Sequence, residues 1–111
     1  MTRKEIKTLD KLYSIKVKSL AGYACQYCHR HQDTVWLNAC HIIGRRNRTL
    51  RWDLENGISL CYSHHIAYDH HLPQHEDIRA MIGEKRIQRL IEKAREIKKT
   101  QDFEEIKSTL L

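Results

Sequence analysis

All four cysteines and all eight histidines of this 111-residue chain fall in one stretch, from Cys25 to His75. Within it, Cys25-Gln26-Tyr27-Cys28 and Cys61-Tyr62-Ser63-His64 share one spacing. Two residues between ligands let a tight turn aim both donors at one ion. Together the pairs supply three thiolates and one imidazole, a set that suits tetrahedral structural Zn²⁺. A closed site would join two distant segments and add folding free energy. A chain this short buries a limited fraction of its surface and can use such a staple. Two other readings stay open. The residues also fit reduced, buried cysteines beside an incidental histidine, and His29, next to Cys28, competes with His64 for the fourth place.

Composition narrows the class. The length fits one domain, residues 1–111. An apolar fraction of 41% and a single proline argue against disorder. No apolar run is long enough for a bilayer, and no signal-like apolar stretch follows Met1-Thr2-Arg3-Lys4. The expectation is a chain with no membrane partner, in a reducing, cytoplasmic compartment, where clustered Cys and His read as metal ligands before disulfides. The formal charge of +6 suits a polyanion.

Three zones follow. In residues 1–20, Ile6, Leu9, Leu12, Tyr13, Lys16, Val17 and Leu20 recur at helical spacing. This predicts an amphipathic helix from about Thr2 to Leu20, with Gly22 just past its end. Residues 21–75 contain no lysine, and turn residues Gly44, Asn47, Asn56 and Gly57 punctuate them. Val35-Trp36-Leu37 and Ile42-Ile43 suit short strands, Gly57-Ile58-Ser59-Leu60 a second strand, and a helix is expected from Tyr62 or Ser63. Trp36 and Trp52 read as core residues. In residues 76–111, Ile87, Leu90, Ile91, Ala94 and Ile97 form a helical stripe. Gly83 separates it from a short helix near Asp77–Ile82, and Asp102 caps a last helix, Phe103–Leu111. The stripe has two possible partners, the chain's own core or a second copy.

Cys40, His41 and His65 fall outside the zinc set. They lie in Leu37-Asn38-Ala39-Cys40-His41-Ile42-Ile43-Gly44-Arg45-Arg46 and in Arg51-Trp52-Asp53-Leu54-Glu55-Asn56-Gly57-Ile58-Ser59-Leu60-Cys61-Tyr62-Ser63-His64-His65. Over about residues 23–70 the sequence resembles the HNH (His-Asn-His, ββα-metal) endonucleases, most of all the small phage members. The resemblance implies a small α+β fold. Its ββα-metal core and zinc knuckle (residues 21–75) would be flanked by an N-terminal helix (1–20) and a C-terminal helical extension (76–111).

The resemblance also implies roles. His41 matches the general base that activates water. Asn56 matches the residue that braces the loop carrying that histidine. His65 matches a ligand of a catalytic divalent metal (Mg²⁺, Mn²⁺ or Ni²⁺). Cys25, Cys28, Cys61 and His64 match the structural zinc set. Cys40 departs from the pattern, since many members place Asp or His there as the second catalytic-metal ligand. A thiolate is soft and matches Mg²⁺ poorly. So either Cys40 points into the core and another residue or water completes the site, which is the expectation for Cys40 itself, or the site takes a softer ion such as Mn²⁺, Ni²⁺ or Zn²⁺. Asp69, His70, His71 and His75 are the nearby alternatives, though each reads first as a solvated surface side chain.

The function expected is metal-dependent hydrolysis of DNA phosphodiester bonds, by nicking or double-strand cleavage. Arg45, Arg46, Arg48 and Arg51 are candidate phosphate contacts. The basic N-terminal helix is a further, non-specific one. The phage-type likeness carries the expectation of a host-cytoplasm location, and of a larger phage protein or a second copy docking on the C-terminal helices. Two alternatives compete: a non-catalytic zinc-ribbon accessory protein that binds nucleic acid, and a zinc-stabilised protein-interaction domain.

Overall fold

The computed structural model describes residues 1–96 and 101–111. Its elements, in order, are α1 (Arg3–Leu20), β1 (Leu37–His41), a single 3-10 turn (Leu54–Asn56) and β2 (Gly57–Cys61). The helices α2 (Tyr62–Asp69), α3 (His75–Ile82), α4 (Glu84–Ala94) and α5 (Phe103–Leu110) follow. The fold is thus a small α+β arrangement, with a two-stranded antiparallel sheet framed by helices. No helix among the described residues is long and apolar enough to cross a membrane.

Local chemistry sets the helix ends. Thr2 caps α1 in a reciprocal capping box with Glu5: the Thr2 Oγ1 accepts from Glu5 N–H and the Glu5 carboxylate accepts from Thr2 N–H. Gly22 lies beyond α1 in the left-handed region (φ 64°). Asp102 caps α5 by accepting from the amides of Glu104 and Glu105. Gly83, at φ 94°, forms the break between α3 and α4.

The strands pair with Leu37 opposite Cys61 and His41 opposite Gly57. This corrects the expected first strand. Val35 and Trp36 precede the ladder: the Val35 amide is used in a turn on the His31 carbonyl, and Trp36 is 85% exposed instead of core. After His41, the Ile42 amide still bonds the Asn56 carbonyl, but the Ile43 amide turns to the Asn56 side chain. Tertiary pairing, not the β-branched run, therefore sets the strand.

Side chains alternate across the hairpin. One face packs on α1: Leu9, Tyr13 and Val17 form a cluster with Trp52 and Leu110, joined by Ala39 and Leu54. The other face carries Cys40, Ile42, Ile58 and Leu60, which pack with Leu50, Tyr68, Ile78, Ile82, Ile87 and Leu90. Ile87 and Leu90 are buried in the chain's own core, with Ile91 and Ala94 packed against it. Ile97, counted in that stripe, lies outside the described residues.

Gly57 fixes how closely α1 approaches β2. A Cβ placed there would sit 2.5 Å from the Tyr13 hydroxyl oxygen and 2.7 Å from Val17 Cγ2. Gly57→Ala is expected to destabilise the protein by about 1–3 kcal/mol through overpacking, read as a lowered midpoint in urea unfolding.

Candidate active site

Two clusters of metal-ligating side chains flank the hairpin. The first contains Cys25, Cys28, Cys61 and His64, whose ligand atoms all lie within 4.8 Å of one another. The knuckle turn directs the Cys28 amide to Cys25 Sγ (3.4 Å), and His29 just beyond it takes a left-handed φ of 66°. His29 is exposed and stands outside the cluster, so the fourth position belongs to His64. The Cys28 and Cys61 sulfurs are 3.9 Å apart, and His64 Nδ1 lies 3.1 Å from Cys61 Sγ and 3.9 Å from Cys25 Sγ. A tetrahedron with Zn–S bonds of ~2.3 Å has S···S edges of about 3.8 Å, so this donor set fits a zinc ion. Burial and nearby Arg30 hold the His64 imidazole below its ordinary pKa, which favours the neutral, ligating form.

The second cluster contains Cys40, His65 and Asp69, again with ligand atoms within 4.8 Å of one another. His65 and Asp69 are one turn apart on α2, with Nε2 3.0 Å from Oδ2. Cys40 faces them from β1, fully buried, its thiol pushed up to about 12 by burial and by the Asp69 charge. Cys40 is therefore both a core residue and a member of the cluster. Among the described residues, the cluster does not include His70, His71 or His75. His75 is buried with Nδ1 2.7 Å from the Tyr68 carbonyl oxygen, and His71 stacks on it at 4.0 Å.

His41 is the next residue along β1 and points to the opposite, α1 face. Its ring stacks on Tyr13 with centroids 5.1 Å apart. Its Nε2 lies 2.9 Å from the carbonyl oxygen of Arg51. A carbonyl only accepts, so Nε2 carries the proton and the neutral ring keeps its lone pair on Nδ1. Burial lowers the His41 pKa, the bond to Arg51 raises it, and Arg45 lowers it further; the net direction is down.

Asn56 is fully buried. Its Oδ1 accepts from the Ile43 amide (2.8 Å), and its Nδ2 donates to the carbonyls of Ile43 (2.9 Å) and Leu50 (3.3 Å). These bonds tie both ends of the segment that follows His41 to the start of β2.

The arginines divide. Arg45, Arg46 and Arg48 are exposed. Arg51 is not free: its Nε and Nη2 donate to the two Asp10 oxygens at 3.1 and 2.7 Å. Asp10 also accepts from Trp52 Nε1 at 2.9 Å. Sequence reasoning did not single out Asp10, and it placed Tyr13 only in the helical stripe of α1. Their partners lie some forty positions away, and only the presence of an acid in a basic helix hinted at a specific pair.

If the first cluster holds zinc as its geometry fits, metal analysis finds about one tightly held zinc per chain. Cys25→Ser then loses that zinc and the cooperative thermal transition with it, measured by elemental analysis and calorimetry.

The comparison with curated proteins and the comparison with solved structures return no match. Residues 25–72 match a family model whose description is HNH endonuclease. The match spans under half of the chain and contains both clusters, His41 and Asn56. The segment between the N-terminal helix and α3 is thus similar to the HNH endonuclease family.

Proposed function

We propose that this protein is a metal-dependent endonuclease that hydrolyses DNA phosphodiester bonds, with His41 as general base. The observation that carries the reading is the state of His41: Nε2 is anchored on the Arg51 carbonyl, which leaves Nδ1 as the basic atom, on the residue that follows Cys40 of the three-ligand cluster in the chain. The match of residues 25–72 to a nuclease family supports the same reading.

The cluster of Cys40, His65 and Asp69 would hold the catalytic cation through one sulfur, one nitrogen and one oxygen. When bound there, a divalent cation polarises the phosphoryl oxygen and stabilises the departing 3′ oxygen. The protein's own groups supply the rest. His41 Nδ1 takes a proton from water as the water oxygen attacks phosphorus, the P–O3′ bond breaks, and the 3′ oxygen gains its proton from solvent. Asn56 holds the loop that carries His41. Arg45, Arg46 and Arg48 approach the flanking phosphates, a contribution that weakens as salt rises. Cys25, Cys28, Cys61 and His64, with structural zinc, fix the start of α2 and with it His65.

The sulfur donor sets the choice of ion. Mg²⁺ demands oxygen ligands, whereas a mixed S/N/O set favours Mn²⁺, Ni²⁺ or Zn²⁺. The softer-ion reading of Cys40 follows, with Asp69 completing the site.

A plasmid-nicking assay over a panel of divalent ions tests this. The wild-type protein cuts with Mn²⁺, Ni²⁺ or Zn²⁺ in preference to Mg²⁺. His41→Ala lowers the rate by about 10²–10⁴-fold, the usual worth of a general base, with zinc content and folding unchanged. Cys40→Asp raises Mg²⁺-dependent cutting. Salt-sensitive DNA binding without cleavage under any ion would instead establish the zinc-ribbon accessory reading.

A further inference from the structure

We infer that Asp10, on α1 and outside the family-matched segment, is a positioning residue for His41. The inference rests on the nuclease reading above and deepens it. The contacts form one chain. Both Asp10 oxygens accept from the Arg51 guanidinium, and one also accepts from the Trp52 indole. The two consecutive residues Arg51 and Trp52 are thereby locked to α1. The carbonyl of Arg51 is the atom that accepts the His41 Nε2 proton. Asp10 therefore fixes the peptide that fixes the ring.

Two features make this more than a surface ion pair. The pair is partly buried, with the Arg51 side chain only 20% exposed and that of Asp10 31%. It is also bidentate, the geometry that confers directional restraint. Tyr13, one helical turn along α1 from Asp10, supports the same imidazole from its face and donates its hydroxyl to the Asp53 carbonyl at 2.9 Å. Helix α1 thus meets both the ring and the strand of chain that holds the ring.

The charge has a second consequence. Asp10 neutralises the Arg51 guanidinium on the residue whose carbonyl holds His41. Removing the carboxylate frees the guanidinium beside the base and loosens the carbonyl that selects its tautomer. Supporting contacts of this kind are worth about 10–100-fold in activity where they orient a reacting or ligating imidazole.

The test compares the zinc-loaded full-length protein with Asp10→Ala and Asp10→Asn, using nicking kinetics and nitrogen-15 imidazole spectra at one fixed pH. The His41 signals are assigned through His41→Ala. Asp10→Ala is expected to lower kcat about 10–100-fold with KM changed by less than about threefold, because Asp10 makes no substrate contact. In the spectra, His41 shifts from the pure Nε2–H form towards a mixture of tautomers. Asp10→Asn keeps the side-chain shape and one accepting oxygen, so its loss is smaller and in the same direction. Wild-type kcat together with an unchanged His41 tautomer in both variants overturns the inference. A fall in KM at constant kcat also overturns it, since Asp10 would then merely withhold Arg51 from phosphate. If Asp10→Ala does not fold, Asp10→Asn decides. If the wild-type protein cuts no DNA, the nuclease reading fails and the His41 spectra alone judge the Asp10 contact.

Discussion

The register of one short hairpin governs everything else in this protein. Five residue pairs, from Leu37–Cys61 to His41–Gly57, place a zinc-cluster ligand at one end of the ladder and the proposed base at the other. A slip of one residue would exchange the faces of Cys40 and His41 and dismantle both sites at once. Such a small sheet is weak by itself. Here its register is over-determined by Gly57 under Tyr13, by the Asn56 side chain at the open end, and by Cys61 in the four-ligand cluster.

The charge balance shows a similar economy. Three basic side chains of α4 hold the segment before β2. Arg86 donates to the carbonyls of Glu55 and Gly57, Arg89 pairs with the Glu55 carboxylate, and Lys93 pairs with Asp53. All three come from α4 and converge on the 3-10 turn that carries Asn56. The C-terminal helices thus act as a brace behind the hairpin. Arg45, Arg46 and Arg48, in the loop after β1, are exposed.

Local spacing was legible and long-range pairing was not. The two C-x-x pairs, the caps at Asp102 and Gly83 and the helical stripes of α1 and α4 all follow from neighbours within a few positions, where the physics of turns and helices acts. The strand at Leu37–His41 was misplaced towards Val35 and Ile43 because its residues have no strong β preference; the ladder with Gly57–Cys61 holds it. Trp36 read as core because size and apolarity do not reveal which side of a turn a residue falls on. Asp69 could be named among four neighbours but not chosen, since the choice depends on which face of α2 meets Cys40. Arg51 looked like a phosphate ligand until its partner on α1 was visible.

Cys40 and His41 are adjacent in the chain yet face different layers, one towards α2 and the other towards α1. The proposed cation cluster and the proposed proton acceptor consequently stand on separate foundations. A change of donor atom on the α2 side would leave in place the carbonyl and aromatic ring that hold the imidazole. On the proposed function, the metal preference can change while the base is kept.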